Sequence, residues 1–275
     1  MTALAGIANV KNIVAIASGK GGVGKSTTEV NLALALQQEG ARVGILDADI
    51  YGPSQPLMLG VNARPKVTEE KKIHPIMAHG LQTMSIGYLV DPNTAMVWRG
   101  PMATGALQQL INDTLWDNLD YLIIDLPPGT GDIQLTLSQK VPLSGAIIVT
   151  TPQDLALLDA RRACEMFSKV NVPVLGIVEN MSTHICSNCG YSESIFGEGG
   201  GEKLAEQYQI PLLGALALDL RIRTQTDAGT PIVAADPNGA ITKQYRDIAQ
   251  KVIAKLKLQG SKDSIKFPNI VIKND

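Results

Sequence analysis

The stretch Gly19-Lys20-Gly21-Gly22-Val23-Gly24-Lys25-Ser26-Thr27 decides the fold of this chain. It fits the pattern G-x-x-x-x-G-K-[ST], a loop whose backbone N–H groups cradle the phosphates of a nucleotide. A short apolar run over residues 12–18 precedes the loop, and apolar residues recur at helical spacing after it. The helix N-terminus adds its partial positive charge to the phosphate site. The order strand, loop, helix therefore predicts a nucleotide-binding P-loop.

Each part of the loop has a predicted role. Glycine is required where a side chain would block the phosphates and where the backbone adopts positive φ angles. Lys25 is expected to reach the β- and γ-phosphates, and the Ser26 hydroxyl to ligate Mg²⁺. The predicted nucleotide-binding residues of the loop are Gly21, Gly22, Val23, Gly24, Lys25, Ser26 and Thr27.

The composition is that of a folded protein. The 275 residues suffice for one large α/β domain, and 45% hydrophobic with 18% charged residues excludes a disordered chain. A formal net charge of −2 gives no basic character that would indicate nucleic acid binding. No apolar stretch reaches transmembrane length, the N-terminus lacks a secretory signal, and three cysteines make no disulfide framework. We therefore predict a cytoplasmic protein that binds neither membrane nor nucleic acid.

Apolar runs alternate with helix-period segments along the chain. Strands are predicted at residues 12–18, 42–46, 81–86, 121–126, 145–150, 174–178 and 212–216, and helices after the P-loop and at residues 101–115, 155–170 and 240–258. This alternation predicts a doubly wound, mostly parallel α/β sheet with helices on both faces and ligands at the carboxyl ends of the strands. We expect a single P-loop domain over residues 1–275, with its core at about 12–258, a loop or small excursion at 61–80 and a tail at 259–275.

Carboxylates follow the predicted strands where a P-loop needs them. Asp125 ends the run YLIID, which predicts a Mg²⁺ ligand at the strand tip, with helix capping as the alternative. Asp47 and Asp49 follow the second strand, and one is expected to serve Mg²⁺ and the other the attacking water. Asp132, in the segment LPPGTGD, is either part of a switch loop that responds to the γ-phosphate or a helix N-cap.

Two cysteines form a C-x-x-C pair at Cys186 and Cys189. Such a pair can chelate a metal, act as a redox dithiol or form a disulfide. Zinc and iron–sulfur clusters usually take four ligands, whereas this chain offers two nearby thiols and at best His184. A symmetric dimer would combine two such half-sites. Cys164 lies in a helix-period segment and is predicted to be a buried small hydrophobe.

The second lysine of the loop, Lys20, makes GKGGVGKST resemble the deviant Walker A signature of the MinD/ParA/nitrogenase-iron-protein group. The resemblance implies that Lys20 contacts the phosphates bound to the partner subunit of a nucleotide-sandwich dimer; a solvated loop lysine is the alternative. It also assigns activation of the attacking water to Asp49, which leaves Asp47 as the predicted Mg²⁺ ligand.

A closer resemblance covers residues 12–258. The chain resembles the Mrp/ApbC family of iron–sulfur cluster carrier ATPases in the segments SGKGGVGKST, LDADIYGPS, WRGPM, DLPPGTGD, VENMS, CSNCG and IFGEGGGEKLA. The resemblance implies an ATP-hydrolysing homodimer that holds a labile 4Fe–4S cluster on Cys186 and Cys189 and transfers it to apo iron–sulfur proteins. It also places Asn180 near the adenine ring, although a turn residue after a strand is an equal alternative.

Two other functions are alternatives to a cluster carrier. A MinD- or ParA-like positioning ATPase would share the loop, but it would have no use for the C-x-x-C pair, and the amphipathic, basic segment 241–258 suits packing on the sheet. A zinc-bridged scaffold would use the thiols without catalysis.

Glu29 occupies the first helix turn after the loop, where a small or apolar residue is expected. Its carboxylate suits the helix dipole but brings negative charge near the phosphates, and the sequence leaves its direction open.

Overall fold

The computed structural model describes residues 5–90, 100–186 and 188–263. The strands of these ranges are β1 (Val10–Ala17), β2 (Val43–Asp47), β3 (Ile76–Ala78), β4 (Leu81–Ser85), β5 (Leu119–Asp125), β6 (Gly145–Thr150), β7 (Val174–Glu179), β8 (His184–Ile185), β9 (Ser192–Glu193) and β10 (Leu212–Ala215). The α-helices are α1 (Lys25–Gln38), α2 (Gln55–Met58), α3 (Gly100–Asp113), α4 (Asp132–Lys140), α5 (Asp154–Lys169), α6 (Gly200–Tyr208), α7 (Leu220–Asp227), α8 (Ile232–Ala235) and α9 (Ala240–Asp263).

Eight of the described strands form one sheet in the order β10-β7-β6-β1-β5-β2-β4-β3. β3 pairs with β4 antiparallel, and the other pairings within this sheet are parallel. The register aligns Asp125 of β5 with Ile16 of β1 on one side and with Asp47 of β2 on the other. The carboxyl ends of the three strands therefore meet at one edge of the sheet, as the mostly parallel α/β prediction requires.

Both faces of the sheet are covered. In β1, Ile13 and Ala15 face one apolar cluster, whereas Val14 and Ile16 face another. Residues of α3, α4, α5 and α6 complete the first cluster, and residues of α1, α7, α8 and α9 complete the second. Strands buried on both faces read as continuous apolar runs, which is why the alternating segments of the sequence predicted this layering correctly.

The prediction for residues 61–80 was wrong in part. A short strand, β3, lies in this range and pairs with β4 through a turn at His79 and Gly80, both of which have positive φ angles. Three residues give too short an alternation to identify a strand from the sequence. The last helix also continues beyond the predicted end to Asp263, while α3 ends at Asp113.

Some predictions fall on residues outside those that the structure describes. These are the first two residues of the WRGPM segment, at positions 98 and 99, and the tail from residue 264 onward. The basic, amphipathic segment 241–258 lies within α9, and its apolar side chains Ile241, Tyr245, Ile248, Val252 and Leu256 are buried in the core. Among the helices of the described ranges, none is both long and apolar enough to cross a bilayer.

Candidate functional site

The P-loop lies between β1 and α1, as predicted. Gly22 and Gly24 both have φ angles of 81°, in the left-handed region that favours glycine. A Cβ atom on Gly24 would also lie 2.2 Å from Nδ2 of Asn180. Gly24 therefore has two reasons to be glycine, one from its backbone angle and one from the side chain packed against it.

The charged centre of the site joins the loop to β5. The ammonium group of Lys25 forms a buried ion pair with Asp125 Oδ1, and the Ser26 hydroxyl donates to Asp125 Oδ2 at 2.5 Å. Burial raises the pKa of Asp125, while Lys25 and Ser26 act in the opposite direction. Asp49 Oδ2 lies 3.9 Å from Lys25 Nζ. The structure thus brings four of the predicted site residues together.

Asp47 lies next to this centre but is bound differently. Its Oδ1 accepts from the backbone N–H of Asp49, and its Oδ2 accepts from the N–H groups of Ser54 and Gln55 and from the Ser85 hydroxyl. Burial and the nearby Asp125 raise the pKa of Asp47 to about 7. Asp47 therefore organises the segment that follows β2, and its role as a Mg²⁺ ligand stays a prediction.

Lys20 lies partly exposed at the start of the loop. Its carbonyl oxygen accepts a hydrogen bond from the Ser18 hydroxyl at 2.8 Å. Among the described residues its ammonium group makes no ion pair. The position leaves the charge of Lys20 available to a group outside the chain, and the predicted contact with a partner's nucleotide stays a prediction.

Asn180 is buried beside the loop, at the end of β7. Its Nδ2 donates to the carbonyl oxygen of Val23 at 2.9 Å, and its own N–H donates to Thr150. It also borders a cavity of about 320 Å³ that reaches the loop. The cavity is lined by Gly24, Thr27, Met58, Asn180, Met181, Ala217, Leu218, Asp219, Ile222, Arg223, Thr226 and Asp227.

The segment after β5 faces the other side of the charged centre. Asp132 is the first residue of α4, and Gly131 is its N-cap, so the helix-capping alternative for Asp132 was wrong. Asp132 and Asp49 both line an open cavity of about 660 Å³. The switch-loop role of Asp132 stays a prediction.

The C-x-x-C pair lies at the tip of the β8–β9 ribbon. The Cys186 N–H donates to Tyr191, and the Gly190 N–H donates to Cys186, which closes the turn. Cys189 is exposed and Cys186 is half-buried, and neither is in a disulfide. Backbone N–H groups of Cys189 and Asn188 lower the pKa of Cys186.

No third ligand stands beside the two thiols in the described part of the chain. Nδ1 of His184 lies 3.2 Å from the carbonyl oxygen of Leu218. No group of three or more His, Cys, Asp or Glu side chains suited to a metal ion occurs among the described residues. Cys164 is buried in α5, as predicted, and burial raises its pKa to about 11.

The model of a family described as ParA, NUBPL iron-transfer P-loop NTPase, matches residues 9–253. The chain belongs to this family. Among its relatives is an iron–sulfur cluster carrier protein of Pseudomonas fragi, 65% identical over 246 residues that cover 89% of this chain and 86% of the relative. The iron–sulfur cluster carrier protein of Escherichia coli K12 is 62% identical over a match that covers 93% of this chain and 69% of the relative.

Solved structures of similar proteins support the same fold. A nucleotide-binding protein of Archaeoglobus fulgidus, in complex with ADP, has a TM-score of 0.72 and 37% identity, covering 82% of this chain and 88% of its own. The cell division ATPase MinD of Pyrococcus furiosus has a TM-score of 0.66 and 25% identity over 89% of this chain and 99% of its own. The mostly parallel fold and the resemblance to the iron–sulfur carrier family are thereby confirmed.

Sequence reasoning missed two glutamines that shape the site. Nε2 of Gln134 donates to the carbonyl oxygens of Pro127 and Pro128 and so fixes the segment after β5. Gln55 is fully buried and donates to Glu29, whose side chain also points into the protein. The contacts of Gln134 are made within one turn segment, whereas Gln55 and Glu29 are 26 positions apart. Both depend on where a glutamine side chain points, which no motif in the sequence specifies.

Proposed function

We propose that this protein is an ATP-hydrolysing carrier of iron–sulfur clusters. In this proposal it binds ATP with Mg²⁺ at the P-loop, holds one labile 4Fe–4S cluster between two copies of the chain, and passes the cluster to apo iron–sulfur proteins. The observation that carries the proposal is the pairing, on one chain, of a complete P-loop centre with an exposed two-thiol half-site. The names of the carrier relatives support the same conclusion.

The donor set of the nucleotide site suits Mg²⁺. Ser26 and Asp125 place a hydroxyl and a carboxylate oxygen 2.5 Å apart, and hard oxygen ligands are those that Mg²⁺ prefers. When bound, Mg²⁺ neutralises charge on the phosphates. When nucleotide binds, the ammonium group of Lys25 would exchange Asp125 for the β- and γ-phosphates, and the carboxylate of Asp125 would then be free to hold Mg²⁺.

Asp49 is the residue that we assign to the attacking water. Its carboxylate is only partly buried, lies 3.9 Å from Lys25 Nζ, and lines the 660 Å³ cavity. Burial raises the pKa of Asp49, which makes its carboxylate a better proton acceptor than an ordinary aspartate. The smaller cavity beside Asn180 is the place that we assign to the adenine ring, since it is concave, mixed in polarity and continuous with Gly24.

Two thiols cannot complete a four-ligand cluster site, so the cargo needs a second copy of the chain. The apolar side chains Ile185, Tyr191 and Ile195 beside the thiols are between 52% and 65% exposed, as expected of a surface that another chain covers. Lys20, without an ion pair among the described residues, would meet the partner's phosphates in the same dimer. We place the reaction in the cytoplasm, where thiols stay reduced.

The test is reconstitution with iron and sulfide under anaerobic conditions. We expect about two iron atoms per chain, half of one four-iron cluster, together with visible sulfur-to-iron charge-transfer absorbance. Full iron loading on a monomer, or stoichiometric zinc without that absorbance, would refute the carrier proposal and favour the zinc-bridged scaffold.

A further inference from the structure

A buried pair of side chains joins the helix after the P-loop to the segment after β2. Glu29, in the second turn of α1, and Gln55, the first residue of α2, are both 0% exposed. Nε2 of Gln55 donates to Oε2 of Glu29 at 2.5 Å. The two residues are 26 positions apart in the sequence, so this contact exists only in the folded chain.

The pair has one donor fewer than it needs. Within the described part of the chain, neither Oε1 of Glu29 nor Oε1 of Gln55 has a hydrogen-bond partner, although both atoms are buried. An ionised carboxylate is an acceptor only and leaves both oxygens unsatisfied. A single proton on Glu29 supplies the missing donor, so that acid and amide satisfy each other.

The charges around Glu29 favour that proton. Asp125 approaches from β5 and Asp47 from β2, while Lys25, on α1 itself, is already paired with Asp125. Burial and the two carboxylates raise the pKa of Glu29 well above its usual value, against smaller opposing effects of Lys25 and Gln55. Tyr88 also lies near enough for Glu29 to raise the pKa of its phenol, which is hydrogen-bonded to Thr83.

The pair also bears on Asp49. Asp47 accepts from the N–H of Asp49 near one end of the segment and from the N–H groups of Ser54 and Gln55 at the other. The side chain of Gln55 then ties this folded segment to α1, the helix that begins with Lys25. The hydrogen bond between Glu29 and Gln55 therefore helps to position Asp49 relative to the P-loop.

We propose that Glu29 is held as a neutral acid in a two-hydrogen-bond pair with Gln55, and that this pair positions the segment carrying Asp49 against α1. Glu29 and Gln55 are positioning residues, since neither touches the reacting atoms. The neutral-acid half does not depend on the proposed ATP hydrolysis, whereas the positioning half rests on it.

The neutral acid is tested without nucleotide, by unfolding the wild type and Glu29→Gln at a series of pH values. An amide at position 29 places an N–H donor where Glu29 carries its unpaired Oε1, so that the Oε1 of Gln55 gains a partner without a titratable proton. Because the folded state holds a proton that the unfolded state releases, the wild type should lose stability relative to Glu29→Gln as pH rises above the usual glutamate pKa of 4.5. The expected loss is about tenfold in the folding equilibrium constant per pH unit.

Asn31→Ala is the control for stability, because it also removes buried hydrogen bonds of α1 without removing a titratable group. Asn31 accepts from the N–H of Val233 and donates to the carbonyl oxygen of Thr27. It should lower stability equally at every pH relative to the wild type. Identical pH dependence in the wild type and Glu29→Gln would overturn the neutral acid.

Positioning is tested by steady-state ATP hydrolysis of the same variants. Glu29→Ala leaves Gln55 without its partner, and should lower kcat at least about tenfold while KM for ATP changes little. Glu29→Gln should retain kcat. An unchanged kcat in Glu29→Ala would overturn the positioning role, and a loss in Glu29→Gln as large as in Glu29→Ala would overturn the neutral acid. Absence of hydrolysis in the wild type would refute the proposed ATPase instead, and would leave the unfolding result intact.

Discussion

The phosphate site and the thiol ribbon differ in almost every physical respect. Lys25 and Asp125 are 6% and 0% exposed, and their ion pair joins α1 to β5. Cys189 is exposed on a ribbon of two strands with two residues each. Fixed, dehydrated charges suit chemistry on phosphates, because buried electrostatic contacts are strong and need no rearrangement. An accessible pair of thiols on a small ribbon suits a cargo that must arrive and leave.

This comparison predicts that the two regions can be inactivated separately, and Lys25→Ala should have the largest effect. It removes the cation that faces the phosphates, so ATP hydrolysis should fall by a factor of about 10² to 10³ or more. Lys11→Ala is the control, since it removes a lysine paired with Asp120 at the other end of β1. Equal hydrolysis rates for Lys25→Ala and the wild type would rule out the ATPase.

Cys186→Ser tests the other region. Each such chain keeps one thiol of the pair, so the cluster should be lost while ATP binding, measured by calorimetry, stays within about twofold, because exposed substitutions seldom change the fold. Cys164→Ser, in the buried core, should keep the iron loading despite some loss of stability. Intact cluster in Cys186→Ser would contradict the thiol assignment, and loss of ATP binding would contradict the separation of the two regions.

Lys20 is where the two regions are expected to meet, because the same dimer would bring both nucleotides and both ribbons together. Lys20→Ala should weaken ATP-dependent dimerisation about tenfold, more than it weakens nucleotide affinity of the monomer. Light scattering with a non-hydrolysable ATP analogue measures this, with Lys257→Ala, an exposed lysine of α9, as the control. An unchanged dimer fraction would return Lys20 to the role of a solvated lysine.

The buried site alone should also make the stability of the protein depend on pH. The pKa of Asp47 is raised to about 7 in the folded protein from an ordinary value of 3.8. The stability that this proton contributes is therefore fully present below the ordinary pKa and is lost as pH rises through about 7, at about tenfold in the folding equilibrium constant per pH unit. Urea unfolding of Glu29→Gln without nucleotide at pH 5, 6 and 7 measures this slope, because Glu29 contributes a slope of its own in the wild type. Stability that rises over this range would contradict the shift.

The sequence by itself determined the P-loop and most of the sheet. A P-loop needs particular residues at fixed spacing, and Asp125 ends a buried strand, so both are written locally. The thiol pair is equally local, as two cysteines three positions apart. Strands covered on both faces are long apolar runs, which is why β1, β5 and β6 were predicted whereas the three-residue β3 was not.

Only the tertiary structure decided the surroundings of the two carboxylates after β2. The residues themselves left open which of Asp47 and Asp49 would serve Mg²⁺, but folding surrounds Asp47 with four protein donors and leaves Asp49 facing the cavity. The sequence did not show whether the side chain of Glu29 points into the protein. The structure shows that it does, because Gln55, from a separate segment, donates to it there. Burial, and the partner that burial imposes, set the charge state of a side chain, and both arise from contacts between residues far apart in the chain.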